Sequence, residues 1–263
     1  MRAHLRAGLS RQLSTLQNAF EFTETVLFLP GLDPRHQGLR IAQLSDIHVG
    51  SATPASRIQQ AVRAVALEEP DLVFLTGDYV THSKRPVARI AELLKGLPPD
   101  RTFAVLGNHD HWVDPVGVRR AISGLGYGVL QNERASLELR GARLAVLGID
   151  DALTRNDDVA KTFSQAPRTG TRLVLAHAPT TADDLPEGEG LACFSGHTHG
   201  GQVHLPGVTA AVFRLAGQPY VRGLYRVRGN LLYVNRGLGF GLGGPLMRFG
   251  SKPEVAFFTL AAS

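Results

Sequence analysis

Two imidazoles sit two residues apart in Ser195-Gly196-His197-Thr198-His199-Gly200-Gly201, directly after the apolar run Leu191-Ala192-Cys193-Phe194. Imidazole is the commonest protein ligand for divalent transition metals. In extended backbone, positions i and i+2 share a face, so both rings can serve one site. Flanking glycines allow close approach where a side chain would block it. Asp46-Ile47-His48 repeats the spacing with a carboxylate and an imidazole. Gly77-Asp78, Gly107-Asn108-His109-Asp110 and His177-Ala178-Pro179 add further oxygen and nitrogen donors. Singly, each has a plain structural explanation: an Asp after Gly is ordinarily a turn residue, Asn108 can cap a turn, and His177 can end a strand. Jointly they form a donor set suited to two adjacent divalent cations of the Mn, Fe or Zn kind. Two ions about 3.5–4 Å apart usually share a ligand. A carboxylate bridges by placing one oxygen on each ion, and Asp78 is the natural candidate.

The elements that must bring these groups together are strand–helix units. Apolar runs at 39–44, 71–75, 102–106 and 172–176 read as strands, the 71–75 run as one buried on both faces, and each ends in one of the donor groups. Helices are expected over 56–67, 86–94, 115–123 and 157–163. Shorter strands are expected at 22–29, 128–130, 136–139, 143–149, 201–206, 223–227, 231–234 and 254–260, with a hairpin turn at Gly141-Ala142. A glycine-rich apolar loop spans 237–249. In open α/β sheets ligands bind at the carboxyl ends of the strands, so sequence position alone predicts that the donors converge. No repeat, linker or low-complexity tract divides the chain, and one domain over 1–263 is expected.

Composition narrows the classes. The chain carries a net charge of +5 and one cysteine, Cys193. No internal disulfide can form, which points to a reducing compartment. Between His197 and Lys252 there is no Asp or Glu, but there are six arginines. A basic region favours anionic partners. The arginines are not interleaved with stacking aromatics and no DNA-reading motif is visible, so no specific nucleic acid is expected. Gly239, Gly241 and Gly244 match a dinucleotide-type glycine pattern, but Pro245 and Pro253 leave no helix to follow it. Leu5, Leu9, Leu13, Leu16 and Phe20 recur at helical spacing with arginines between them, predicting an amphipathic helix over 1–20. That helix and the 237–249 loop are candidates for contact with anionic lipid or an acyl chain. No membrane-spanning run or secretory signal is visible, which predicts a cytoplasmic protein, peripheral on the inner membrane face if the helix binds lipid.

Asp46-x-His48, Gly77-Asp78, Gly107-Asn108-His109-Asp110, His177 and Gly196-His197-x-His199 together resemble the ordered signature of the calcineurin-like metallophosphoesterases. Leu44-Ser45-Asp46-Ile47-His48, the stretch after His199 through Val203, and Tyr233-Val234-Asn235-Arg236-Gly237 are similar to the bacterial YkuE/YaeI-type phosphodiesterase branch, whose relatives include hydrolases of UDP-2,3-diacylglucosamine. The resemblance implies a four-layer α/β/β/α sandwich. It implies one metal on Asp46, His48, Asp78 and His199, and another on Asp78, Asn108, His177 and His197. His109 would face the substrate phosphoryl group and Asp110 would orient it. The implied activity is hydrolysis of phosphodiester or pyrophosphate bonds through a metal-bridging hydroxide, with a phosphate ester or nucleotide-linked lipid as substrate. A non-catalytic scaffold would be expected to have lost ligand positions, and here all are present. Arg236 is a candidate phosphate contact, and His82, His111 and His204 are candidate cleft residues.

Overall fold

The computed structural model describes residues 20–50, 53–164, 166–241 and 248–263. The strand at Leu72–Thr76 (β3) shows how the layers arise. Leu72 and Phe74 enter one apolar cluster, while Val73 and Leu75 enter another. This period-two alternation, apolar on both sides, is what a central strand covered on both faces requires.

In the first sheet β3 pairs parallel with β2 (Arg40–Leu44) and β4 (Thr102–Val105), and β4 with β5 (Gly128–Val129). On the other side β2 pairs antiparallel with β12 (Glu254–Ala262), which runs parallel to β1 (Glu21–Leu29). The second sheet has a parallel centre of β7 (Ala142–Ile149), β8 (Thr171–Ala176), β9 (Ala192–Ser195) and β11 (Asn230–Val234). It is edged antiparallel by β6 (Glu133–Leu139) and β10 (Gly223–Val227). The two sheets meet across a shared core that includes Ile41, Phe74, Val146, Leu175, Phe194 and Phe258. Helices α1 (Ala55–Glu68), α2 (Val87–Leu94), α3 (Asn108–Val113) and α4 (Pro115–Ser123) follow strands of the first sheet. Ile58, Leu93 and Ile122 from this layer bury its outer face with Leu44 and Leu75. The outer face of the second sheet has a thinner cover, from α5 (Val159–Ser164) and the turn at Pro179–Asp183. The expected α/β sandwich of two mixed sheets with flanking helices is therefore present.

Several local expectations change. The hairpin between β6 and β7 turns at Arg140-Gly141, both at positive φ, which is the two-residue geometry that matches strand twist. Residues 201–206 do not form a strand: among the described residues, Val203 makes an isolated bridge to Phe249. A helix that the sequence pattern did not predict, α6 (Val208–Leu215), follows instead. The helix expected over 1–20 lies outside the described residues except for Phe20, which is buried, and so does 242–247 of the glycine-rich loop. Among the described residues, no helix is long and apolar enough to cross a membrane.

Candidate metal centre

The carboxyl ends of β2, β3 and β4 meet those of β8 and β9 at one edge of the sandwich. Two hydrogen bonds stitch that edge across the sheets. Gln43 Nε2 donates to the Ser195 carbonyl at 3.0 Å, and His177 Nδ1 donates to the Thr76 carbonyl at 2.7 Å. The chain leaves each strand in a tight reversal, and Asp46, His48, Asp78, His197 and His199 all adopt positive φ, between 50° and 72°. Non-glycine residues avoid this region, at a cost of about 1–3 kcal/mol each, and such strain collects at functional sites. Asp46 and His48 therefore face one donor group through left-handed turns, not through the extended backbone expected from their spacing, while His197 and His199, expected to face one site, turn to two adjoining groups. Glycines fill the tightest approaches. At Gly77, with φ +92°, a Cβ would lie 2.6 Å from His177 Nδ1, and at Gly196 one would overlap Ser45 Oγ and Asp46 Oδ2.

Seven expected donors converge into two adjoining groups. Asp46, His48 and His199 bring ligand atoms within 4.8 Å of one another, as do Asp78, His177 and His197. His199 Nε2 lies 3.3 Å from Asp46 Oδ1 and 3.1 Å from His48 Nε2. Asn108 Oδ1 completes the second group, 3.1 Å from both His177 Nε2 and His197 Nδ1. Asp78 Oδ2 lies between the groups, 3.7 Å from His48 Nε2 and 3.3 Å from His177 Nε2. Asp78 Oδ1 is otherwise engaged, accepting the His109 backbone N–H at 3.0 Å. A bridge with one oxygen on each side is thus not what the geometry offers, because a single oxygen faces both groups.

The electrostatics fit divalent cations. Burial lowers His48 to about 4 and His197 to about 3, and drives His199 well down, so these rings are neutral and present lone pairs. Burial pushes Asp46 up to about 6, a cost that the positive charge on His177 only partly offsets. Burial also opposes charge on His177, but Asp78 pairs and hydrogen-bonds with it and holds the ring above the ordinary imidazole range. The same pairing holds Asp78 below the usual carboxylate range against its own burial. A proton on His177 Nε2 occupies the place a cation would take. Thr76 accepts from His177 Nδ1, and Thr81 Oγ1 lies 3.0 Å from His48 Nδ1, which fixes both rings with Nε2 inward. One contact is of the opposite kind: Arg248 Nη2 donates to His199 Nδ1 at 3.0 Å. A neutral ring accepting there keeps its proton on Nε2, so ligation through Nε2 requires Arg248 to withdraw.

Residues 39–201 match the family described as calcineurin-like phosphoesterase. The chain belongs to this family. Its curated relatives include a protein described as the uncharacterized metallophosphoesterase YkuE of Bacillus subtilis, 29% identical over 86% of this chain and 80% of that one. The UDP-2,3-diacylglucosamine pyrophosphatase LpxG of Chlamydia trachomatis is 28% identical over 83% of this chain and 82% of its own. The phosphodiesterase YaeI of Escherichia coli is 28% identical over 84% and 82%. Calcineurin-like phosphoesterases are metal-dependent hydrolases of phosphoric esters, and the two donor groups lie in or directly beside the strand ends of the matched region.

In this phosphoesterase His109 stands outside both donor groups. Its Nδ1 donates to the Thr81 carbonyl at 2.8 Å, and its ring meets His48 edge-on, with centroids 5.2 Å apart. The exposed Trp112 also meets the His109 ring, with centroids 4.9 Å apart. Asp110 was expected to orient His109, but its carboxylate serves the backbone. Oδ2 accepts from the Asp78 and Gly107 N–H groups, both at 2.9 Å, and Oδ1 from those of Tyr79 and Val80 at 2.9 and 3.2 Å. Burial and the nearby Asp78 push Asp110 up to about 7, with the N–H groups opposing. Asp110 thus ties the β3 and β4 loops together. Arg236 is turned away from a phosphate role: it pairs with Glu254 at 3.2 Å and Glu21 at 3.0 Å. His111 Nε2 bonds Asp150 Oδ1 at 2.7 Å, His82 lies 5.4 Å from His109, and the buried His204 Nδ1 has no hydrogen-bond partner among the described residues. Sequence reasoning missed the Thr76 and Thr81 carbonyls and Arg248. Backbone acceptors leave no signature in side-chain spacing.

Proposed function

We propose that this calcineurin-like phosphoesterase binds two divalent cations and hydrolyses phosphodiester or pyrophosphate bonds. The observation that carries the reading is Asp78 Oδ2, set between two donor groups that otherwise share no residue. One position would be held by Asp46, His48, Asp78 and His199, the other by Asp78, Asn108, His177 and His197. Mixed nitrogen and oxygen donors suit Mn, Fe or Zn. The chemistry such a pair supplies when bound is an activated water near neutral pH and neutralisation of phosphoryl charge. His109 works from beside the pair. The Thr81 carbonyl pins its Nδ1–H, so Nε2–H of the protonated ring would meet a phosphoryl oxygen or give its proton to the leaving oxygen. Asp110 keeps the Asp78 and Asn108 loops in register, and the exposed Trp112 stands against the His109 ring.

A second reading, cleavage of a nucleotide-linked lipid such as UDP-2,3-diacylglucosamine, is favoured by the relation to LpxG, which spans most of both chains. Hydrolysis of bis(p-nitrophenyl) phosphate, p-nitrophenyl phosphate and UDP-2,3-diacylglucosamine, each with Mn²⁺ and with excess chelator, tests both readings. Chelator-sensitive turnover of the diester supports the first, and a strong preference for the lipid conjugate selects the second. Turnover of the monoester alone, or turnover indifferent to chelator, refutes both.

A further inference from the structure

Residues 205–215 carry one charge, Arg214, and bury one residue, Thr209. An apolar helix ordinarily turns its stripe to the core. Here Val208 and Val212 are each 56% exposed and Leu215 is 89% exposed, at spacings i, i+4 and i+7. Leu205 at 46% and Phe249 at 59% extend the exposed apolar set. These residues are tied to one framework. Thr209 Oγ1 accepts from the Leu205 N–H at 2.9 Å and donates to the Val203 carbonyl at 3.1 Å. The Phe249 backbone pairs with Gln202 and His204, at 2.9 and 2.7 Å. Thr209 also packs against Gly201, where a Cβ would overlap it, two residues beyond His199. The exposed surface is therefore continuous with the donor loop.

We propose that this face, α6 with Leu205 and Phe249, docks on an anionic lipid surface. It differs from the 1–20 segment and takes only Phe249 from the 237–249 loop. Contiguous exposed apolar side chains mark a contact surface, and the charges around them select the partner. Arg214 on the helix and Lys252, three residues after Phe249, are exposed, and Arg222 Nη1 donates to the Gly250 carbonyl at 2.8 Å. No Asp or Glu occurs from 197 through 253. A second copy meeting this face about a two-fold axis would set the cations of one copy against those of the other, with no acidic residue of this segment to pair them. An anionic bilayer takes the apolar side chains into its interface and pairs its headgroups with the cations. Docking would bring the His199 loop to the membrane surface, where a lipid-linked phosphate ester could enter without leaving the bilayer.

Co-sedimentation of the full chain with phosphatidylglycerol/phosphatidylcholine vesicles and with pure phosphatidylcholine vesicles tests the proposal. The expected result is binding to the anionic vesicles that weakens with salt and falls roughly tenfold or more in Val212→Glu/Leu215→Glu. Arg214→Gln/Lys252→Gln should lower binding to anionic vesicles and flatten the salt dependence. Both variants should keep wild-type turnover of a small soluble diester. Unchanged vesicle binding in the double-glutamate variant overturns the proposal. So does a wild-type dimer in light scattering that dissociates in that variant, because a second copy would then cover the face.

Discussion

His109→Ala separates the roles of the residues at the centre. Alanine keeps the backbone N–H that binds Asp78 Oδ1 at 3.0 Å, so the loop holding Asp78 and Asn108 loses no anchor. The imidazole belongs to neither donor group, and its Nδ1 bonds the Thr81 carbonyl. Both cations should therefore remain. On the proposed role, what is lost is the stabilisation of phosphoryl charge or proton donation, typically a factor of about 10²–10⁴. At about 1.36 kcal/mol per tenfold, the barrier rises by roughly 2.7–5.4 kcal/mol. Steady-state turnover of a diester should be read beside metal content by mass spectrometry on the same sample. A proton donor leaves a further mark: the loss should be smaller for p-nitrophenolate, which departs as a stabilised anion, than for an alkoxide. Turnover within a few-fold of wild type, or lost ions with an unchanged rate per bound pair, would refute this role.

Other outcomes follow from neighbouring contacts. Gly196→Ala adds a Cβ that overlaps Ser45 Oγ and Asp46 Oδ2; it should cost about 1–3 kcal/mol of stability and lower metal content from two ions toward one, while full occupancy would contradict the packing argument. Chelation should lower the melting temperature: at metal a hundredfold above Kd each site adds about 2.7 kcal/mol, or about 5–10 °C for a chain of this size, and an unchanged melting temperature would mean that no ion binds the folded state. His111 loses by burial but gains more from its bond to Asp150, so its folded pKa lies above the ordinary 6.5. The pair's stabilisation is then fully present below pH 6.5 and lost as pH rises through the folded pKa; the stability gap between wild type and His111→Gln should narrow on going to high pH, and a gap that widens would contradict the sign.

Much of the centre was legible because apolar strands end abruptly in groups that an ordinary strand end does not need. Asp46, Asp78, Asn108, His177 and His199 stand out against runs such as Leu72–Leu75 and Leu173–Leu175. Parallel strands bring their carboxyl ends to one edge, so reading each strand's direction sufficed to gather them. Orientation within the centre was less legible. Left-handed φ at Asp46 and His48 is imposed by tertiary contacts, not by residue type. Asp110 sits beside His109 in sequence, yet in α3 its carboxylate turns back to four backbone N–H groups. Arg236 follows a strand end as a phosphate contact would, but the buried Glu254, remote in sequence, claims it. The helix α6 escaped notice because its apolar spacing continues a run that reads as β and its buried side is a single threonine.

Metal content of the purified wild type and of Asp78→Ala, counted per folded chain, addresses the shared oxygen most directly. Asp78 Oδ2 faces His48 on one side and His177 on the other, so on the proposed two-ion reading removing it should release both ions. Two tightly held ions in Asp78→Ala, or the loss of only one, would contradict the bridge.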